Sequence, residues 1–217
     1  MVEAVIFDMD GLLIDSEPHW RKSHAAVLAE IGHHVTDSDV RAAAGKRTGD
    51  QVEIWRERFG FTEPNQEVTD RIVDGVIAAI RQNGTSMAGV DQLVAELRQH
   101  GVPMAVASSS SERLINVVLE RLDIKKDMHA IHSGENEDRG KPFPDVFIST
   151  AKSLGVVAAN CLVFEDSLNG VKAAKAAGMK CVAVPELPYD RAAFEAANPE
   201  RIIRSLEEIH WPDIQAL

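Results

Sequence analysis

The sequence predicts an α/β protein: a parallel sheet with a separate, all-helical insert. Two patterns lead there. Short apolar runs alternate with longer stretches of helical spacing, as βα units joined by crossovers do. One stretch, from about Glu17 to Asn83, breaks the alternation and shows helical spacing only. A third observation places the chemistry, because carboxylate, hydroxyl and ammonium side chains recur where apolar runs end.

Taken in order, the first run is Val2–Phe7, and Asp8-Met9-Asp10-Gly11 comes straight off it. Carboxylates at i and i+2 of an extended chain lie on the same side, and Gly11 permits a sharp turn. One carboxylate could attack while the other handles a proton, and both could give oxygen to one hard cation. A solvated strand-end turn would look the same, so the pair alone leaves both readings open. The helical patterns Arg21–Ile31, Gln51–Phe59 and Gln66–Arg81 follow. A connection with its own helices reads as an inserted cap. Its expected span is residues 17–83, leaving 1–16 and 84–217 as a discontinuous core.

The second run, Val102–Ala107, ends in Ser108-Ser109-Ser110-Ser111-Glu112. Hydroxyls and backbone N–H groups at a helix N-terminus cradle phosphate. The spacing of Ser109 and Glu112 also matches a capping box, with Ser108 left to point at a ligand. The helix Ser111–Leu122 and the run His129–His132 come next, then Lys141 in a segment stiffened by Pro142 and Pro144. Its ammonium group could neutralise a phosphate and an attacking carboxylate together. After the helix Pro144–Leu154, capped by Gly155, the run Cys161–Phe164 delivers Glu165-Asp166, Ser167 and a turn at Asn169-Gly170. Acids at the C-terminal end of a buried parallel strand sit where such sheets bind ligands; capping the next helix is their plainer use. Leu168–Ala177, Gly178 and the run Lys180–Val184 close the series.

Composition narrows the function. The chain has 217 residues, of which 45% are hydrophobic, enough for one core and a subdomain. Its net charge of −11, from 34 acidic against 23 basic residues, gives no long-range attraction for nucleic acid or an anionic membrane. An anionic substrate must be met by local cations. Cys161 and Cys181 stand in apolar runs and read as buried thiols, in keeping with a reducing, cytoplasmic setting. Glu3 and Asp8 interrupt what a signal peptide would need, and no stretch approaches the ~18 apolar residues of a spanning helix. The eight histidines suggest no metal site.

In this order the motifs resemble the haloacid dehalogenase-like hydrolase superfamily: FDMDGLLIDSEP first, Ser108 in VASSS second, Lys141 in GKPFPD third and Glu165-Asp166 in FEDSLNG fourth. The resemblance spans essentially the whole chain. The insert is similar to the cap of the subgroup containing beta-phosphoglucomutase and 2-deoxyglucose-6-phosphate phosphatase. It implies a Rossmann-like, doubly wound sheet of order 5-4-1-2-3, with Asp8 as nucleophile and Asp10 as acid, then base. It also implies Mg²⁺ held by Asp8, the Asp10 carbonyl and Asp166, with Glu165 as direct or supporting ligand. Ser108, donors near Ser109 and Lys141 would hold the transferring oxygens of a small phosphorylated metabolite, such as a hexose 6-phosphate or 2-deoxyglucose 6-phosphate.

Within the superfamily, a dehalogenase lacks the second aspartate that Asp10 supplies here. A phosphonatase has a small residue at that position and a cap lysine where this chain has Thr48, with Lys46 close by. Beta-phosphoglucomutase is the alternative, but its pattern has a hinge histidine where Trp20 stands. Trp20 and Arg47 resemble the phosphatase branch, in which the cap offers an aromatic and an arginine to the substrate. A non-catalytic binder on the same fold would have no use for four intact motifs. A monomer is expected.

Overall fold

The protein is seen in a computed structural model that describes residues 1–36, 39–40, 45–186 and 188–217. Six parallel strands form one sheet: β1 (Ala4–Phe7), β2 (Met104–Ser108), β3 (Met128–Ser133), β4 (Cys161–Glu165), β5 (Lys180–Ala183) and β6 (Arg201–Ile202). Their spatial order is β3-β2-β1-β4-β5-β6. The first five reproduce the order that the resemblance implies. β6 is an addition at the edge, and two residues are too few for a period-2 pattern to announce.

β1 is buried at every position because it lies between two strands and between two helical layers, which is why its sequence is unbroken AVIF. Alternate residues still face opposite ways. Val5 and Phe7 join Val106, Leu162 and Phe164 on one face, packed under α4 (Val90–Gln99) and α5 (Glu112–Arg121). Ala4, Ile6, Cys161, Val163 and Cys181 form the other, covered by α6 (Asp145–Leu154) and α7 (Leu168–Ala176). Both cysteines are buried thiols, as the sequence predicts.

Between β1 and β2 stand α1 (Glu17–Glu30), α2 (Thr48–Phe59) and α3 (Asn65–Asn83). α1 starts earlier than its apolar pattern because Pro18 fits the first turn, where a missing N–H costs nothing. α1 and α2 both pack on α3. Trp55, Ile72 and Ile80 continue the first-face core into these helices. Polar contacts also tie cap to core, notably Arg113 of α5 to Asp70 and Asp74 of α3. No helix among the described residues is long and apolar enough to cross a membrane.

Two local expectations fail. Ser109 does not cap α5; the N-cap is Ser111, whose hydroxyl makes no capping bond. Ser109 Oγ instead donates to the Gly45 carbonyl of the insert at 2.9 Å, a partner remote in sequence. Asn169-Gly170 is no turn but part of the first turn of α7, capped by Ser167 Oγ accepting from Gly170 N.

Candidate active site

All four motifs meet outside the C-terminal ends of β1, β2 and β4, beside the point where the chain crosses from one half of the sheet to the other. Asp8 continues β1, its N–H donating to Phe164 O at 3.0 Å. Ser108 ends β2, Glu165 ends β4, and Asp166 follows. Lys141 arrives on the loop before α6 and is buried. Its Nζ donates to Asp8 Oδ1 and Glu165 Oε1, both at 2.5 Å, and to Ala107 O at 3.2 Å.

Glycines make this assembly possible. Gly11 has φ +76°, and a Cβ there would stand 2.5 Å from Asp166 Oδ2. A Cβ on Gly170 would fall 1.7 Å from Glu165 Oε1, so the first turn of α7 must lack a side chain for the carboxylate to sit beneath it. Glu165 Oε2 accepts from Ser167 N (2.9 Å) and Ser167 Oγ (3.0 Å).

The charges do not balance. Burial pushes Asp8 up to about 7; Lys141 works against that shift, and Glu165 adds to it. Asp166 is raised well above the usual carboxylate range, first by burial and then by Glu165 and Asp8. Burial alone would lower Lys141, but the two carboxylates it touches more than offset this and hold it above its ordinary value. Lys141 therefore stays charged, one cation against three acids. Oxygens of Asp8, Glu165 and Asp166 lie within 4.8 Å of one another. Three hard oxygen donors this close together fit a divalent cation such as Mg²⁺, whose charge would favour their ionised forms.

Asp10 stands apart from this cluster. Ser16 Oγ (2.6 Å) and Trp20 Nε1 (2.8 Å) donate to its Oδ1, and Ser110 Oγ (2.6 Å) donates to its Oδ2. Ser16 and Ser110 are site residues the sequence reading missed; the hydroxyl run 108–111 was the available signal for Ser110. Ser108 is buried, with its Oγ accepting from Ser110 N at 3.1 Å.

A cavity between cap and core is lined by Asp8, Asp10, Ser108, Ser109, Lys141 and Asp166 from the core, facing Trp20, His24, Lys46, Thr48 and Gln51 from the cap. Trp20 thus stands at the cavity wall, yet its one hydrogen-bonding atom is spent on Asp10. Arg47 is not in the lining. Its guanidinium pairs with Asp50 and donates to Glu137 O at 3.1 Å, fastening cap to core, while Lys46 takes the place facing the cavity. The expectation that Arg47 faces the substrate is corrected to that extent. His24 also escaped the sequence reading. It is only 1% exposed, set between Trp20 and Trp55, and neither ring nitrogen has a partner among the described residues. Burial pushes it down to about 3, so the imidazole is neutral near pH 7.

Known proteins resemble this chain in sequence and in fold. Residues 5–184 match the family model described as haloacid dehalogenase-like hydrolase. Hexitol phosphatase B of Escherichia coli (strain K12) is 34% identical over 202 residues, covering 92% of this chain and 88% of that one. A phosphorylated carbohydrates phosphatase of Thermotoga maritima is 29% identical over 215 residues, 96% of this chain and all (100%) of that one. The crystal structure of CbbY from Rhodobacter sphaeroides in complex with phosphate superposes with a TM-score of 0.90 over 99% of this chain and 100% of that one; at 22% identity it shows the shared fold. The chain belongs to the haloacid dehalogenase-like hydrolase family.

Proposed function

We propose that the protein is a Mg²⁺-dependent phosphatase of small sugar or polyol phosphates, working through an aspartyl phosphate on Asp8. The observation that carries this reading is Lys141, a buried ammonium bridging Asp8 and Glu165. A carboxylate that attacks a phosphate dianion needs its charge neutralised, and a fixed, buried cation does so without reorganisation.

Asp8 forms a bond to phosphorus as the bond from phosphorus to the sugar oxygen breaks. Asp10 gives that oxygen a proton, then takes one from the water that cleaves the acyl phosphate, returning Asp8 and releasing inorganic phosphate. Ser108 and Lys141 hold the transferring oxygens. Asp8, Asp166 and the Asp10 carbonyl would hold the metal ion, which supplies further charge neutralisation at phosphorus. Glu165 already commits both oxygens, to Lys141 and Ser167, which favours a supporting role over direct ligation. Segment 17–83 closes the site as a cap and restricts it to compact molecules. Relatives named for hexitol and phosphorylated-carbohydrate phosphatase activity support the sugar-phosphate class.

The test is phosphate release with Mg²⁺ across hexose, pentose and glycerol phosphates and nucleotides. Hexose or hexitol 6-phosphates should outrun nucleotides. A preference for nucleotides or a phosphoprotein contradicts the reading. Conversion to an isomeric sugar phosphate, dependent on a bisphosphate primer, would replace hydrolysis with transfer between sugar hydroxyls.

A further inference from the structure

The cavity is satisfied from below and unsatisfied from above. On the core side, Asp10 accepts three hydrogen bonds and Ser108 one. On the cap side, both ring nitrogens of His24 and the Oε1 of Gln51 are sealed from solvent and have no partner among the described residues. Gln51 Nε2 donates to Lys46 O at 3.1 Å, which leaves Oε1 as the uncommitted end of the amide. The two residues come from different helices but belong together. Gln51 and Trp55 are one turn apart on α2, and His24 packs against Trp55 at 4.6 Å between ring centroids. Buried polar atoms are almost always paired, and these three, on two residues that line one cavity, mark hydrogen bonds for a group that reaches them when cap and core part to admit substrate.

We propose that His24 and Gln51 are specificity-determining residues that read hydroxyl groups on the alcohol half of the substrate; this rests on the phosphatase reading above. A neutral imidazole offers one donor and one acceptor, and an amide oxygen accepts only. A hydroxyl both donates and accepts, so neighbouring hydroxyls of a sugar or polyol satisfy all three atoms. A carboxylate in the same place has no proton for Gln51 Oε1 or the bare imidazole nitrogen. A substrate ammonium meets Lys46, which lines the same cavity. A site built around such bonds discriminates strongly against an analogue lacking the hydroxyls, because its own groups are then left buried and unpaired.

The experiment compares kcat/KM for glucose 6-phosphate and for phenyl phosphate, which carries no hydroxyl beyond the phosphate. Wild type should prefer the sugar. His24→Phe keeps a flat ring between the two tryptophans but has no nitrogen, so the sugar-to-phenyl ratio should fall about tenfold, the usual worth of one lost hydrogen bond. His24→Asn, with one donor and one acceptor, should restore part of it. Gln51→Met should lower the same ratio and carries the test alone if the His24 variants do not fold. Equal losses on both substrates, or an unchanged ratio, overturn the assignment and leave the phosphatase standing. A wild-type protein that releases phosphate from phenyl phosphate but not from the sugar contradicts both the sugar-phosphate reading and this proposal.

Discussion

Lys141 is held by two carboxylates and a carbonyl in a space closed to water. Removing the ammonium strands two acids at close range. Lys141→Met should therefore lower turnover at least ~100-fold and destabilise the fold by about 3 kcal/mol, the cost of breaking a buried pair. Urea unfolding beside kinetics checks this, and a loss under about 1 kcal/mol contradicts it. His24 gives the pH dependence. It titrates near 6.5 when unfolded and about 3 when folded, so the unfolded chain binds the extra proton between those values. Stability should fall as pH drops from about 6.5, by up to about 1.4 kcal/mol per unit. His24→Phe should flatten that limb in unfolding curves taken from pH 7 to 4. Asp8, Ser108, Lys141 and Asp166 were legible in the sequence because each ends a strand or follows one directly in a quotable motif. His24 and the contacts that hold Arg47 and Ser109 were not, because their partners (Trp55, the Glu137 carbonyl, the Gly45 carbonyl) are far along the chain.

At the scale of elements, buried parallel strands were readable because both faces are apolar, so β1, β2, β4 and β5 stood out as runs. β6 and α4 did not. β6 is too short for a pattern, and α4 lies in the stretch between Gly84 and Val102, where the sequence reading names no element. Beside the shared apolar cluster, part of the cap's contact with the core is polar and partly exposed. Arg113 of α5 reaches Asp74 Oδ1 at 2.5 Å and Asp70 Oδ1 at 3.2 Å on α3, all at least 44% exposed. Such pairs contribute little to folding, so Arg113→Ala should change stability by less than about 1 kcal/mol. On the proposed function the two bodies they join close on a substrate, so KM should rise several-fold, and raised salt should move wild type toward the variant. An unchanged KM would remove the ion pairs from any role in closure.

For the whole molecule, an acidic protein of net charge −11 concentrates three carboxylates around one lysine. A divalent cation that binds only the folded chain should raise its stability, by about 2.7 kcal/mol at a concentration 100 times Kd. The melting temperature should rise with Mg²⁺, return to its starting value with EDTA, and respond little in Asp166→Asn. Everything else depends on which atom attacks phosphorus. The direct measurement is intact-protein mass after acid quench of Asp8→Asn and Asp10→Asn during turnover of p-nitrophenyl phosphate, whose good leaving group needs less help from an acid than water needs from a base. Asp10→Asn keeps the nucleophile but lacks the base that activates water, so it should accumulate one phosphoryl group, mapped by peptide analysis to Asp8. Asp8→Asn should show none at any time. An adduct on another residue, or equal labelling of both variants, would contradict the account.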